Sequence, residues 1–458
     1  MMRRAIVPTV GLAALLAACS DDPPALPIEQ LMDPATCMSC HPKHTAEWSS
    51  SMHAYAADDP VFLALNRQGQ EETNGALGNF CVQCHAPMAV ALGLTTDGLN
   101  LDDVPRFAKG VTCYFCHNAV SVEGDHNAPI RLANDETMRG GLSNPVDSPA
   151  HRTSYSNLLD STKPSSSTLC GACHDIITPA GVHIERTFAE WKTTIFAQED
   201  PRLQLSCGSC HMIASSGVVA EGPGLEVPRR EFGVREHTFA AVDVALTEWP
   251  GKELQLAAIE RDLFGLIQGR LCVLPVDGGR IDYRIDNVGA GHMFPSGASI
   301  DRRAWIEIVA YEGDTVVFSS GVIPASDPLR DPEDLADPNL WSLSSPAYDG
   351  NGQPTDRFWR IAAIDHPGSL LKPAVTVDPM DPAFYHSVEK SFPVPGLAGR
   401  ITRVTARVLL RPIPMDLITE LLDSGHLLTD LRPAIPTHVV GSSVLEWTAT
   451  SATSGCVQ

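Results

Sequence analysis

The chain has 458 residues, a formal net charge of −22 at pH 7 and hydrophobic side chains at 43% of its positions. At a prior of about 150 residues per domain, this length predicts two or three domains. Because 55 Asp and Glu outnumber 33 Lys and Arg, the charge argues against a nucleic-acid partner, which would need a basic surface.

The first 18 residues have the pattern of a lipoprotein signal peptide. Two Arg precede an apolar run, residues 5–18, that is too short to span a bilayer comfortably. Small residues then lead to Cys19, where we expect cleavage and lipidation; ordinary signal-peptidase cleavage, with an incidental thiol, is the alternative. Residues 19–30 are predicted to form a Pro-rich tether. This pattern predicts a membrane-anchored protein of the cell envelope, periplasmic or on the outer membrane.

One pattern, Cys-x-x-Cys-His, occurs five times between residues 37 and 211. It is the attachment signature of a c-type haem, in which both thiols bond to the macrocycle and the His ligates its iron. Zinc or a disulfide framework is the alternative, but neither explains a His after every pair. We therefore expect five covalently bound haem c groups. They would be held by Cys37, Cys40, His41, Cys81, Cys84, His85, Cys113, Cys116, His117, Cys170, Cys173, His174, Cys207, Cys210 and His211.

Residues 31–245 are predicted to form a domain around these haems. Turn-forming residues interrupt the stretch often, and short helices are indicated at 43–56 and 187–197. Five macrocycles in so short a stretch leave little room for an aliphatic core. We therefore expect the haems to serve as the core, with short helices and loops around them.

Eleven of the 16 His lie outside the five motifs. A haem that only carries electrons normally has a second axial ligand, whereas an enzyme haem leaves that position open. For each His the alternative is a surface or hydrogen-bonded side chain, and for the Met residues that follow two motifs, Met88 and Met212, a structural role is favoured. The predicted second ligands are His53, His151 and His237, then His126, with His44 and His183 in reserve.

Three segments, residues 47–54, 110–117 and 187–212, resemble multihaem c-type cytochromes of the tetrahaem electron-carrier and hydroxylamine oxidoreductase-like superfamily. The resemblance covers roughly residues 35–240. It implies that His53, in a Ser-x-His-Ala segment, is a distal haem ligand. The chain has no Cys-x-x-Cys-Lys motif, which marks the open haem of similar pentahaem nitrite reductases. The resemblance thus favours a carrier over an enzyme.

Residues 250–458 are predicted to form a β-sandwich-like domain, because short strand patterns alternate with turns. The stretch 321–400 is rich in Pro, Asp and Gly and is expected to be long loops. The fold class is therefore α+β multidomain, with a haem-cored domain of short helices and loops before the β-sandwich-like domain. Strands are expected at 271–274, 280–285, 304–311, 315–318, 401–410 and 444–449, and a short helix at 415–423.

Two features of this second region bear on the haems or on stability. Cys272 and Cys456 predict a disulfide in an oxidising compartment, with two separate thiols as the alternative. The segment 287–297, Asn-x-x-x-Gly-His-x-Phe-Pro-x-Gly, resembles one in C-terminal regions of some multihaem cytochromes. That resemblance implies that His292 points to a haem; a hydrogen bond within the sandwich is the alternative. Four further His are predicted at the surface: His366, His386, His426 and His438.

Together these patterns predict a secreted, lipid-anchored pentahaem cytochrome that passes electrons between redox proteins. Its acidic surface would steer a basic partner. The alternative is a haem oxidoreductase acting on a small nitrogen or sulfur compound at one five-coordinate haem. A third possibility is a β-domain that binds an extracellular ligand while the haems relay or sense electrons. No catalytic residue is predicted.

Overall fold

The computed structural model describes residues 26–458 except 147, 199, 223–224, 328, 330–336 and 451–454. The predicted signal peptide, the lipidation site Cys19 and the first part of the tether lie outside these residues. Within the described ranges, none of the helices combines the length and apolarity that crossing a bilayer would need.

The first half of the described chain consists of short helices joined by turns. Asp59 caps the longest of them by accepting a hydrogen bond from the Val61 amide, and Pro60 occupies the first helical position. The helices are α1 (Ile28–Leu31), α2 (Pro34–Cys37), α3 (Pro42–Ser50), α4 (Met52–Tyr55), α5 (Pro60–Glu72), α6 (Val82–His85), α7 (Pro87–Ala91), α8 (Cys113–His117), α9 (Ser167–Gly171), α10 (Thr187–Lys192) and α11 (Cys207–His211).

Four two-stranded ribbons accompany these helices: β1 (Ala119–Val122) with β2 (Ile130–Leu132), β3 (Thr137–Gly140) with β4 (Arg152–Tyr155), β5 (Ile176–Ile177) with β6 (His183–Glu185), and β7 (Ala214–Gly217) with β8 (Arg230–Arg235). The β3–β4 pair is parallel and the others are antiparallel. None of these ribbons is long enough to build a core of its own.

Two predicted helices differ from the structure. The helix expected at 43–56 is interrupted at Ser51, whose hydroxyl donates to the Trp48 carbonyl at 2.6 Å and accepts from the Ala54 amide at 3.3 Å. Ser51 thereby ends α3 and caps α4. The helix expected at 187–197 ends at Lys192, where Thr193 donates its hydroxyl to the Glu190 carbonyl.

The second half is built on two antiparallel sheets that face each other. After α12 (Lys252–Leu263) come β9 (Ile267–Leu274), β10 (Arg280–Asn287), β11 (Arg303–Glu312), β12 (Thr315–Ser320), β13 (Trp341–Leu343), β14 (Ala347–Asp349), β15 (Ile361–Ile364), β16 (Val388–Pro393), β17 (Arg403–Arg411), α13 (Met415–Asp423), β18 (His438–Val439), β19 (Leu445–Thr448) and β20 (Cys456–Val457). One sheet has the order β16-β10-β9-β20, and the other has β12-β11-β17-β18 with β13 on β11 and β19 on β17.

Alternating side chains of both sheets form one hydrophobic core. Ile281, Tyr283 and Ile285 of β10 are fully buried, and so are Ile308 and Ala310 of β11 in the same cluster. This alternation is what a sandwich requires, because every second residue of a strand points to the same face. The α+β fold class is therefore confirmed, whereas the predicted domain limits stay predictions.

The composition predicted long loops for residues 321–400, but this stretch is not all loop. It contains four strands, from β13 to β16, and β16 forms the edge of the first sheet by pairing with β10 over six residues. Short strands among Pro and Gly escape detection because their backbone pairing is set by distant partners and not by local alternation.

The structure joins Cys272 and Cys456 in a disulfide between β9 and β20, where the two residues are direct cross-strand partners. We expect the double substitution Cys272→Ser and Cys456→Ser to lower the free energy of unfolding by about 2–5 kcal/mol, because the bond closes a long loop in the unfolded chain. Urea unfolding of the oxidised wild type and variant measures the difference. Equal unfolding midpoints would contradict a stabilising disulfide.

Helix α13 attaches the second half to the first. Its buried face, including Met415, Ile418 and Leu421, shares a hydrophobic cluster with Val61 and Ala64 of α5. Beside this cluster, the Arg357 guanidinium donates to the side-chain oxygen of Gln68 at 2.9 Å. Because α5 also borders the Cys-x-x-Cys-His motifs, these contacts hold the second half against the haem-binding region.

Candidate haem-binding site

One continuous cavity of about 1770 Å³ runs through the first half and reaches the second. All ten motif Cys and all five motif His line it. The motifs themselves therefore enclose an interior space of the first half that aliphatic side chains do not fill. Such a shared space suits several covalently attached macrocycles, and the residues present fit that group.

Each motif adopts nearly the same local conformation. The His amide donates to the carbonyl of the first Cys, at 2.7 Å in the first motif and 3.0 Å in the fourth. This single helical turn places positions i, i+3 and i+4 on one face, so both thiols and the imidazole face the cavity together. The spacing of the sequence pattern is thus the spacing of a helical face.

The second nitrogen of every motif His is already engaged. Nδ1 donates in each case to an oxygen that can only accept, so Nε2 is the nitrogen left to bind a metal. The acceptors are the Val219 carbonyl for His41 at 2.7 Å, the Ala56 carbonyl for His85 at 3.1 Å, the Arg139 carbonyl for His117 at 2.5 Å, the Glu185 carboxylate for His174 at 3.2 Å and the Ala240 carbonyl for His211 at 2.8 Å.

Four of the five motif His face a second imidazole across the cavity. The ring centres are 6.2 Å apart for His41 and His151, 6.3 Å for His117 and His237, 6.3 Å for His174 and His53, and 6.5 Å for His211 and His292. Two metal–imidazole bonds of about 2 Å each, plus the distance from each nitrogen to its ring centre, predict a separation of about 6 Å. Each pair therefore has the spacing for one iron between two imidazoles.

Three of the facing His, namely His53, His237 and His292, are neutral at pH 7, as metal ligands must be. Burial lowers the pKa of His53 to about 3, of His237 to about 3 and of His292 to about 4. Nδ1 of His237 donates to the Arg235 carbonyl at 2.9 Å, and Nδ1 of His292 donates to the Met293 carbonyl at 2.8 Å. As in the motif His, this arrangement leaves Nε2 free to bind a metal.

His85 differs from the other motif His. Its ring stacks on Phe62, with ring centres 4.0 Å apart and planes at 3°. Among the described residues, no second imidazole faces it at the spacing of the other four pairs. The second motif is therefore the one place in the described cavity where a bound iron would lack a His on its far side.

The structure does not bring His126 into the cavity. Its side chain is 40% exposed, and its Nδ1 is hydrogen-bonded to the Asp125 carboxylate at 2.9 Å, so the predicted ligand role has no geometric support. His183 is also exposed, at the start of β6. His44 does line the cavity, with its ring centre 4.8 Å from that of His237. The four His predicted at the surface, His366, His386, His426 and His438, are instead partly buried.

A carboxylate that the sequence patterns did not single out for a role positions His292. Oε2 of Glu190, on α10, accepts from the Met293 amide at 3.1 Å and from the Ser296 hydroxyl at 2.6 Å. Thr187 of the same helix adds a hydrogen bond to Ser296 at 2.8 Å. These bonds attach the loop that carries His292 to the haem-binding region. Two polar residues three apart on one helix face are a signal that could have indicated this attachment.

Gly110 allows the third motif to approach His53. It adopts φ +70°, and a Cβ at this position would lie 2.5 Å from the His53 carbonyl oxygen. The next amide, of Val111, donates to that same oxygen at 2.8 Å. A side chain at position 110 would therefore push the backbone of His53 away from the cavity.

We expect Gly110→Ala to displace His53 and to cost about 1–3 kcal/mol in strain. The haem of the fourth motif, whose His174 faces His53, should lose low-spin character in electron paramagnetic resonance (EPR) spectra. Gly75→Ala is the matched control, since Gly75 has φ +80° and nothing within 4 Å of a built Cβ. Unchanged spectra for Gly110→Ala, or equal changes in both variants, would contradict this role.

Comparison with known proteins agrees with this geometry. The family model for cytochrome c554 and c-prime matches residues 36–118, which contain the first three motifs. A penta-heme cytochrome c552 from Thermochromatium tepidum has a similar fold, with TM-score 0.61, 17% identity, and coverage of 92% of this chain and 100% of that one. No curated protein sequence matches. These matches and the five motifs on one cavity support a multihaem c-type cytochrome with covalently bound haem c.

Proposed function

We propose that the protein is a pentahaem electron carrier, anchored by lipid to the cell envelope, that exchanges electrons with redox proteins. The observation that carries the proposal is the set of four His pairs at 6.2–6.5 Å in one cavity. Haem c, when bound, supplies a one-electron couple. Iron closed by two imidazoles suits electron transfer, because no axial position remains for a substrate.

Contacts between motifs support electron transfer within two groups of motifs, one of two motifs and one of three. The side chains of Cys37 and Cys113 lie side by side, so the first and third motifs adjoin each other. Similar contacts join Cys84 with Cys173 and Cys170 with Cys207. The fourth motif thus touches both the second and the fifth. Neighbouring redox centres in such a chain would be close enough for electrons to pass between them.

The haem content and spin state test this proposal. The mass of the purified protein and its pyridine haemochrome spectrum should report five haems per chain. EPR spectra of the oxidised protein should show four low-spin centres and one high-spin centre. Exclusively high-spin spectra would refute the carrier function. Membrane fractionation tests the anchor, because Cys19→Ala should release the protein from the membrane fraction.

His85 supports a second candidate function, reduction or oxidation of a small nitrogen or sulfur compound. Phe62 packs on the face of its ring, and among the described residues no second imidazole lies opposite it, so an iron held there would have room for an external ligand. We expect carbon monoxide to shift the spectrum of one reduced haem in five. Low-spin spectra for all five haems, without turnover of nitrite or hydroxylamine, would eliminate this candidate.

A further inference from the structure

An exposed loop, residues 377–385, lies beside the fifth motif and has an apolar surface. All nine residues are exposed. Met380 is 86% exposed and Tyr385 73%, and the Tyr385 ring contacts Phe384 with centres 5.3 Å apart. So many apolar side chains left in water along one short segment mark a surface that another molecule covers.

Both ends of this loop are fixed to the parts of the chain that surround His292. On the N-terminal side, Leu371 exchanges two backbone hydrogen bonds with Phe294, at 3.0 and 2.9 Å. On the C-terminal side, Nε2 of His386 lies 2.9 Å from Asp286 and 3.3 Å from the Asn287 carbonyl. The loop therefore stands on the backbone that carries His292.

A third attachment joins the loop to the segment that leads into the fifth motif. The Ile195 amide donates to the Ala374 carbonyl at 3.1 Å, and the Gln198 side chain donates to the Val375 carbonyl at 2.8 Å. Phe196, between them, lies against Gly291. The loop is thus held by both chain segments that meet at the His211–His292 pair.

The loop carries only negative charge. Residues 377–385 include Asp378 and Asp381 and no Lys or Arg, and the nearest Lys along the chain are Lys372 and Lys390. The Asp378 carboxylate accepts from the Met380 amide at 2.9 Å, and the Asp381 carboxylate accepts from the Ala383 amide at 2.9 Å. These two turns hold the loop in shape, so less conformational entropy is lost when a partner covers it.

We propose that loop 377–385 is the docking surface for a basic redox protein whose binding face has an apolar centre ringed by Lys. The inference rests on the proposed carrier function. In the complex one electron passes between the fifth-motif haem and the partner's redox centre, so that one is oxidised as the other is reduced. The Asp side chains and the net charge of −22 steer the encounter, and Met380 and Tyr385 supply the apolar contact.

The experiment measures the second-order rate constant for oxidation of the reduced holoprotein by a basic, lysine-rich soluble cytochrome c. One variant combines Met380→Ser with Tyr385→Ser, and another combines Asp378→Asn with Asp381→Asn. Controls outside the loop are Leu428→Ser, at an 88% exposed apolar residue, and Asp314→Asn. An uncharged benzoquinone serves as a second acceptor that needs no docking surface.

At low ionic strength we expect both loop variants to react with the cytochrome about tenfold more slowly than wild type, and the Asn variant to show a weaker salt dependence than wild type. The controls and all reactions with benzoquinone should stay within about twofold of wild type. Wild-type rates in the loop variants would overturn the docking proposal while leaving the carrier function intact. If neither acceptor oxidises the wild type, the carrier function itself fails.

Sedimentation distinguishes a basic redox protein from two other possible partners of the loop, a second copy of this chain and a membrane surface. These measurements use the full chain with Cys19→Ala, which lacks the proposed anchor. The proposal expects this protein, with the wild-type loop, to remain monomeric without the cytochrome, and the loop variants in the same background to bind phospholipid vesicles no less than it does. A dimer of this protein that the loop substitutions dissociate would make the loop a self-association surface and overturn the proposal. Vesicle binding lost only in the loop variants would overturn it in favour of a membrane surface.

Discussion

Replacing His292 with Ala is expected to convert one low-spin haem into a high-spin haem. His292 lies opposite His211 with ring centres 6.5 Å apart, and both rings have Nε2 free for a metal. Without the second imidazole the iron of the fifth motif would keep only His211, and a five-coordinate haem with one His ligand is high-spin. EPR spectra should then show three low-spin centres instead of four.

His126→Ala is the matched control. His126 is also a His outside the five motifs, but it is exposed and paired with Asp125, so its removal should leave all spin states unchanged. Added imidazole should restore the fourth low-spin signal in His292→Ala, because the site can accept the missing ring from solution. A change of spin state in His126→Ala, with none in His292→Ala, would contradict the assignment of the pair.

The motif residues could be predicted from the sequence because attachment of haem c imposes a rule on adjacent residues. Two thiols and an imidazole must share one helical face, and a local pattern is sufficient to describe that face. The second ligands follow no such local rule. Counting His outside the motifs led to His53, His151 and His237, which line the cavity, and to His126, which does not. His292, which also lines it, was predicted from the resemblance of segment 287–297.

His126 shows why the count fails in part. Its position depends on the path of the chain between β1 and β2, and its neighbour Asp125 pairs with Lys192 at 2.9 Å, 67 residues along the sequence. Glu190 shows the opposite case, a functional contact whose local signature, a polar pair with Thr187 on α10, does not identify its partners. Its partners Met293 and Ser296 are more than 100 residues away. Such contacts come from tertiary packing, which a single sequence does not reveal.

The second large expected effect is a pH dependence of stability, caused by Glu190, which holds the segment that carries His292 through Met293 and Ser296. Burial raises the pKa of Glu190 to about 7, from an ordinary value of 4.5. The folded protein therefore holds this proton more tightly than the unfolded chain does. The protonated Glu190 side chain therefore stabilises the folded protein. This contribution to the free energy of unfolding is fully present below about pH 4.5 and is lost as the pH rises through about 7. At about 1.4 kcal/mol per pH unit, the loss is on the order of 3 kcal/mol.

Glu190→Gln should remove this dependence. The Gln oxygen can still accept from the Met293 amide and the Ser296 hydroxyl, but it does not ionise, so its contribution stays constant with pH. We expect the variant to gain stability relative to wild type as the pH rises from about 4.5 to 8, approaching the order of 3 kcal/mol. Urea titrations at several pH values, followed by low-spin haem absorption, measure the difference. Glu190→Ala should weaken the attachment at every pH, since both hydrogen bonds are lost. Parallel pH profiles for wild type and Glu190→Gln would show that this carboxyl does not govern the attachment of His292.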